Sequence, residues 1–227
     1  EFRFFIQHIK KFTFYDLIKI QIKKEGLKFT NDAGFIHHFI QILLDDVELG
    51  MEGKAKALLP LFRNSKGTNE SAFELQIIEA LQLFSNTLKT KIHFTIDADQ
   101  LSSFIALENK LVKKLSKTNS DRLQIEYSFQ DSKTDSIALM DNSTILRDVE
   151  GKIEFRKSGH GALIDNIKRF KADLVFIKTV DNIKPNDMES VDVQKAIGGI
   201  YLKRFDQIKN LLEQLQDAIA TSIDESI

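Results

Sequence analysis

Apolar residues recur at two different spacings along the 227-residue chain, and the switches between them mark its elements. From Phe2 to Gly26, Phe5, Ile9 and Phe12 stand at helical spacing among lysines, which predicts two short helices stopped by Gly26. Ile18 to Lys23 alternates strictly, so an edge strand competes with helix there. Over 31–46, Phe35/Ile36, Phe39/Ile40 and Leu43/Leu44 form one stripe, with Thr30 or Asn31 as the cap. His37 and His38 lie in that helix and point about 100° apart, which favours a solvated face over a metal pair. Ser71 and Glu74 form a capping box ahead of a helix striped by Phe73, Ile77, Leu81 and Phe84.

The period then changes. Ile92 to Ile96 alternates as a strand, Asp97 and Gln100 are placed to cap a helix striped by Leu101, Phe104/Ile105, Leu111/Val112 and Leu115, and Leu123 to Phe129 alternates again. Strand, helix and strand of these lengths predict a right-handed βαβ crossover with parallel strands. Ser136 to Met140 and Lys152 to Arg156 read as further short strands, the second entered through the Asp148-Val149-Glu150-Gly151 turn. Leu174 to Ile177 is apolar at every position, as a central strand covered on both faces is. After Pro185, Gly198-Gly199 interrupts a helical region, and Phe205, Ile208, Leu211/Leu212, Leu215 and Ile219 then recur as a terminal amphipathic helix, read as packing on the sheet. The expected organisation is an α/β domain over 1–190, helical over 1–50, with a helical segment over 191–227 packed on it.

Composition narrows the function classes. With 32 basic and 33 acidic residues the chain has no global field that would select nucleic acid or an anionic membrane. It has no cysteine, which excludes disulfides, thiolate catalysis and cysteine-based zinc sites. No apolar run is long enough to span a bilayer and no signal peptide is recognisable, so a reducing, cytoplasmic setting is expected. The 18 phenylalanines read as core filling.

Candidate chemistry gathers in 156–182, RKSGHGALIDNIKRFKADLVFIKTVDN. Gly159 and Gly161 flank His160 in a turn that would let bare N–H groups approach a ligand if the glycines take φ > 0; a tight turn with a surface histidine is the competing reading. Asp181-Asn182 follows the apolar run, where the carboxyl ends of strands in open α/β sheets bind ligands. Together with Gln130 to Asp135 (QDSKTD), Arg147-Asp148, Arg156, GHGAL at 159–163 and VFIKTVDN at 175–182, the chain resembles an uncharacterised bacterial family of nucleotidyltransferase-like domains, domain of unknown function 4301. The Gly-His-Gly and Asp-Asn elements alone are similar to those of UDP-sugar pyrophosphorylases. Lys56-Ala57-Leu58-Leu59-Pro60 looks like a variant of the Pro-Lys-x-Leu-x-Pro segment of nucleotidyltransferases, with Ala55 in place of the proline.

The resemblance implies a three-layer α/β sandwich with a mostly parallel central sheet, of the nucleotide-diphospho-sugar transferase (GT-A-like) kind. It implies a nucleoside triphosphate and a sugar phosphate as partners and Mg2+, or Mn2+, as cofactor. Asp181 is then the metal ligand, with a turn residue as its alternative; Lys56 reaches phosphate, with a solvated loop charge as its alternative. His160 contacts a phosphate or sugar oxygen. Gln130 reads a base edge or hydroxyl, Thr134 and Asp135 belong to the same motif, and Asn182 stands beside Asp181. Arg156 clamps phosphate or forms a structural ion pair, and Asp135 binds ligand or makes an Asx turn. Lys157-Ser158 and Thr179 depart from the family pattern. The first strand and the glycine-rich loop that wraps the triphosphate have no counterpart in the first fifty residues, so the chain reads either as a fragment beginning just after that loop, which is the preferred reading and leaves its activity open, or as a relative that lost the loop. An enzyme, a non-catalytic nucleotide or sugar-phosphate binding module, and a fold that keeps the motifs only as turns are the three readings; the sequence names no base, sugar or oligomeric state.

Overall fold

A computed structural model of the chain describes residues 2–26, 33–45, 50–184 and 188–224. The first part is helical. α1 (Phe2–His8) runs through a short 3-10 turn into α2 (Tyr15–Lys24), so the alternating stretch 18–23 is helix, and Gly26 closes it at φ 72°. α3 (Ala33–Leu44) packs on α2 around buried Ile18, Ile22, Phe39 and Ile42; its expected cap at Thr30 or Asn31 lies outside the described residues. His38 Nε2 meets Glu25 Oε2 at 2.6 Å, which gives that histidine a role in tying α3 to the end of α2.

β1 (Phe62–Arg63) and β2 (Asn69–Glu70) form an antiparallel hairpin joined to the helical part by Arg63–Asp16 and by Asn69 Nδ2 donating to Thr13 O at 2.7 Å. α4 (Ala72–Leu83) starts on the full capping box: Ser71 Oγ accepts from Glu74 N at 3.2 Å and Glu74 Oε2 accepts from Ser71 N at 3.0 Å. Both residues are buried, so these bonds satisfy helix-end groups that water cannot reach.

β3 (Thr90–Ile96), α5 (Leu101–Val112), α6 (Lys117–Arg122) and β4 (Leu123–Phe129) follow one another in the expected order of strand, helix and parallel strand. β3 and β4 pair in parallel register from Thr90 opposite Leu123 to Ile96 opposite Phe129. Alternation sets the faces: Ile92, Phe94, Ile96, Ile125 and Tyr127 close over Phe73, Ile77, Leu81, Phe104 and Leu111 of α4 and α5. The Tyr127 hydroxyl donates to Glu108 Oε2 at 2.7 Å, and burial followed by that bond pushes its pKa well up. His93, Thr95, Glu126 and Ser128 lie on the other face.

β5 (Ser136–Ile137) and β6 (Phe155–Arg156) are shorter than the sequence predicts, and single bridges Leu139–Ile145 and Arg147–Ile153 continue the meander around a turn with Gly151 at φ 81°. A four-residue helix α7 (Ile164–Ile167) and the long α8 (Met188–Asp224) complete the chain.

The chain is thus mixed helix and strand, and among the described residues each of the three sheets has two strands. Two expectations need correction. Leu174 to Ile177 is not a strand: Leu174 and Phe176 pack against Gly198 and Phe84, while Val175 and Ile177 are exposed. With no neighbouring strand to take its N–H and C=O groups, an apolar run forms no ladder. The terminal helix is continuous through Gly198-Gly199, and its stripe does not lie on a sheet; Tyr201 to Ala220 is exposed throughout. A Cβ at Gly198 would stand 2.9 Å from Phe176, so the glycine is there for close approach.

Candidate functional site

Most of the candidate residues are held on or near the carboxyl ends of β3 and β4. The segment directly after β3 is the hub. Gln100 Nε2 donates to Gly53 O at 3.0 Å and Gln100 Oε1 accepts from Ala55 N at 3.3 Å, which fixes the loop that carries Lys56. Asp97 forms an ion pair with Lys157, which draws in the segment leading to the Gly-His-Gly turn. The expected capping role of Asp97 is therefore corrected: α5 begins after Gln100 without a side-chain cap, and the Asp97 carboxylate is engaged across the fold.

After β4, Gln130 Nε2 donates to Thr134 Oγ1 at 3.0 Å and to Asp135 Oδ1 at 3.4 Å, so three candidates converge. The Asx turn here belongs to Asp131, whose Oδ1 accepts from Lys133 N at 3.0 Å, and that backbone bond holds its carboxyl below the usual range. Asp135, freed from that role, presents its carboxylate to Gln130. Ser136 and Ser158 share a hydroxyl bond that joins β5 to the turn preceding His160. Buried Asn166 of α7 donates through Nδ2 to Ser128 Oγ at 2.6 Å and Phe129 O at 3.0 Å, anchoring the segment after that turn on the end of β4.

Lys56 and Asp181, 125 residues apart in sequence, form an ion pair on the surface, with 58% and 66% of their side chains exposed. Asp181-Asn182 sits in a turn closed by Asn182 N donating to Thr179 O at 3.2 Å, not at a strand end. Asp181 borders two grooves. One, of about 210 Å³, is shared with Lys56, Phe62 and Val180; the other, of about 290 Å³, with Glu70, Glu79, Gln82, Asn182 and Lys184. Behind the second groove Glu79 Oε1 accepts from both Lys178 Nζ and, at 2.8 Å, Gln194 Nε2.

The remaining candidates are less engaged. His160 is exposed in a 3-10 turn over 160–163, and Arg156 is exposed with Glu154 at 3.5 Å, the structural ion pair that competes with phosphate binding. Gly159 has φ −68°, neither Gly159 nor Gly161 is in the left-handed region, and a Cβ at either would meet nothing within 4 Å. The expectation that these glycines need φ > 0 is corrected; the turn bends without it. Among the described residues no group of three or more His, Asp or Glu is placed to hold a metal; Asp181 offers a single exposed carboxylate. The sequence alone reads Asp97 and Gln100 only as helix caps and Lys157 only as a departure from the family pattern, and it passes over Asn166; the position of Asp97 and Gln100 directly after a predicted parallel strand is the available signal.

No described helix is long and apolar enough to cross a membrane. A family model described as a domain of unknown function, DUF4301, matches residues 1–226. No curated protein and no solved structure matches the chain.

Proposed function

We propose that the chain, which belongs to the DUF4301 family of domains of unknown function, is a nucleotidyltransferase-like domain. In this reading it takes a nucleoside triphosphate and a sugar phosphate, with Mg2+, at the carboxyl end of the β3–β4 pair, in a fold distantly akin to GT-A-like sandwiches. The observation that carries it is that Gly53 and Ala55 are bonded to Gln100, Lys157 to Asp97, and Ser158 to Ser136 beside the Gln130-Thr134-Asp135 group. Convergence of polar groups from distant segments at the end of parallel strands is the usual anatomy of a ligand site.

Lys56 supplies a cation for phosphate, released from Asp181 as the ligand takes its place. Asp181 would hold the metal ion, whose preference for one or two carboxylates plus water and phosphate oxygens fits an exposed single carboxylate bordering two grooves. The ion supplies charge neutralisation at the phosphates when bound. Gln130, held by Thr134 and Asp135, offers a fixed amide for a base edge or sugar hydroxyl, and His160 an imidazole N–H for an anionic oxygen. The exposure of Lys56 and Asp181 favours, as a second reading, a module that binds without chemistry, because phosphoryl chemistry gains from a site closed to water.

The test is His160→Ala measured twice. The exposed imidazole leaves thermal stability unchanged on removal, while calorimetric titration with nucleoside triphosphates and sugar phosphates in Mg2+ loses about 1.5–3 kcal/mol if the partner is a charged phosphate. A large fall in melting temperature with unaltered binding overturns the role of the turn. Release of pyrophosphate from the bound pair separates the enzyme from the binding module.

A further inference from the structure

The face of α8 that meets the body does not end where the body does. Val191 is buried, Gln194 bonds Glu79, and Gly198 lies against Phe176; the same face then continues as Tyr201, Phe205, Ile208, Leu212, Leu215 and Ile219. These six side chains are between 44% and 63% exposed and alternate at spacings of four and three residues, the seam of a coiled coil over about 28 Å. A helix with such a seam draws most of its stability from what packs on it. We propose that this seam pairs with the same seam of a second copy, antiparallel, in a homodimer.

Charge and register select this occupant. A lipid surface would want a basic polar face, but Lys203, Arg204 and Lys209 are balanced by Asp206, Glu213 and Asp217. The charges are also sorted along the helix: the basic excess lies before residue 210 and the acidic residues Glu213 and Asp217 after it. An antiparallel partner sets each basic half against an acidic half. A parallel one sets like against like and brings Arg204, flanking the seam on one side, beside Lys209 of the second copy. Centred near residue 210, the antiparallel register also layers Tyr201 on Ile219, Phe205 on Leu215 and Ile208 on Leu212 of the second copy; it brings Leu211 next to its own equivalent on one flank and Lys209 next to its own on the other, a single like-charge contact where the parallel pair makes the Arg204–Lys209 contact twice.

The absence of cysteine makes the test direct. The full chain at tens of micromolar should sediment as a dimer, and Leu212→Glu, at an exposed position, should sediment as a monomer with the melting transition of the body retained. Single cysteines then report direction: under mild oxidation Leu211→Cys should cross-link to a covalent dimer, whereas Tyr201→Cys should not, because antiparallel pairing holds the two positions 201 about 27 Å apart. A monomeric parent chain overturns the proposal, as does cross-linking through position 201 in preference to 211 or a dimer that Leu212→Glu leaves intact.

Discussion

Asn166 gives the sharpest test of how the Gly-His-Gly segment is held. Its side chain is 3% exposed and its Nδ2 donates both to Ser128 Oγ, at 2.6 Å, and to Phe129 O, at 3.0 Å. Asn166→Ala removes both bonds and leaves the β4 end without its donor. At about 0.5–1.5 kcal/mol per bond the loss is about 1–3 kcal/mol. For a chain of 150–250 residues each kcal/mol moves the melting temperature by about 2–4 °C, so the expected fall is about 2–12 °C by calorimetry or circular dichroism. Asn166→Asp sharpens the prediction through its sign. At neutral pH the new carboxylate has no proton to donate and faces a carbonyl oxygen in a buried site, so this variant is less stable than Asn166→Ala. Burial raises its folded pKa above the ordinary value of about 3.9, so its stability is fully present below that value and is lost as pH rises through the folded one. The gap between the two variants therefore closes in acid. An Asn166→Ala protein melting with the parent would refute the anchor, and with it the account of how the turn is positioned.

Other consequences follow from single contacts. Gly161→Ala adds a Cβ that meets nothing within 4 Å, on a backbone outside the left-handed region; it should raise stability by about 0.4–1 kcal/mol, and a lower melting temperature would show that the turn does need glycine. His93 packs its ring on Phe170, and burial, reinforced by Arg169 and opposed by Glu126, lowers its pKa. A lowered folded pKa means stability that is present above the ordinary value of about 6.5 and is lost as pH falls, so the parent should lose more stability than His93→Gln between pH 7 and 5; parallel pH profiles would contradict this.

What could be read from the sequence was whatever depends on near neighbours. The 92–96 and 123–129 alternations and the Ser71–Glu74 box encode burial and capping within a few residues, and they appear in the structure with correct partners. What failed depends on distance. Asp97 looks like a cap because its neighbours are helical, and nothing near it reveals Lys157, sixty residues on. Four apolar residues at 174–177 fit a buried strand and an irregular segment equally, since period cannot separate them and only a pairing partner decides. The last helix shows the same limit: its spacing is right, but spacing does not say what covers the stripe. At the candidate site the Gln130-Thr134-Asp135 group was visible as a motif, whereas the Lys56–Asp181 pair emerged only when the fold joined segments 125 residues apart.

In the proposed function Asp181 takes a divalent cation together with a nucleotide. Electron paramagnetic resonance of Mn2+ titrated into the full chain, with and without a nucleoside triphosphate, reads that joint binding. Protein-bound Mn2+ should appear when the nucleotide is present, and Asp181→Ala should abolish it while the melting temperature holds. Mn2+ binding equal in parent and Asp181→Ala, or no protein-bound ternary signal in the parent, would contradict it.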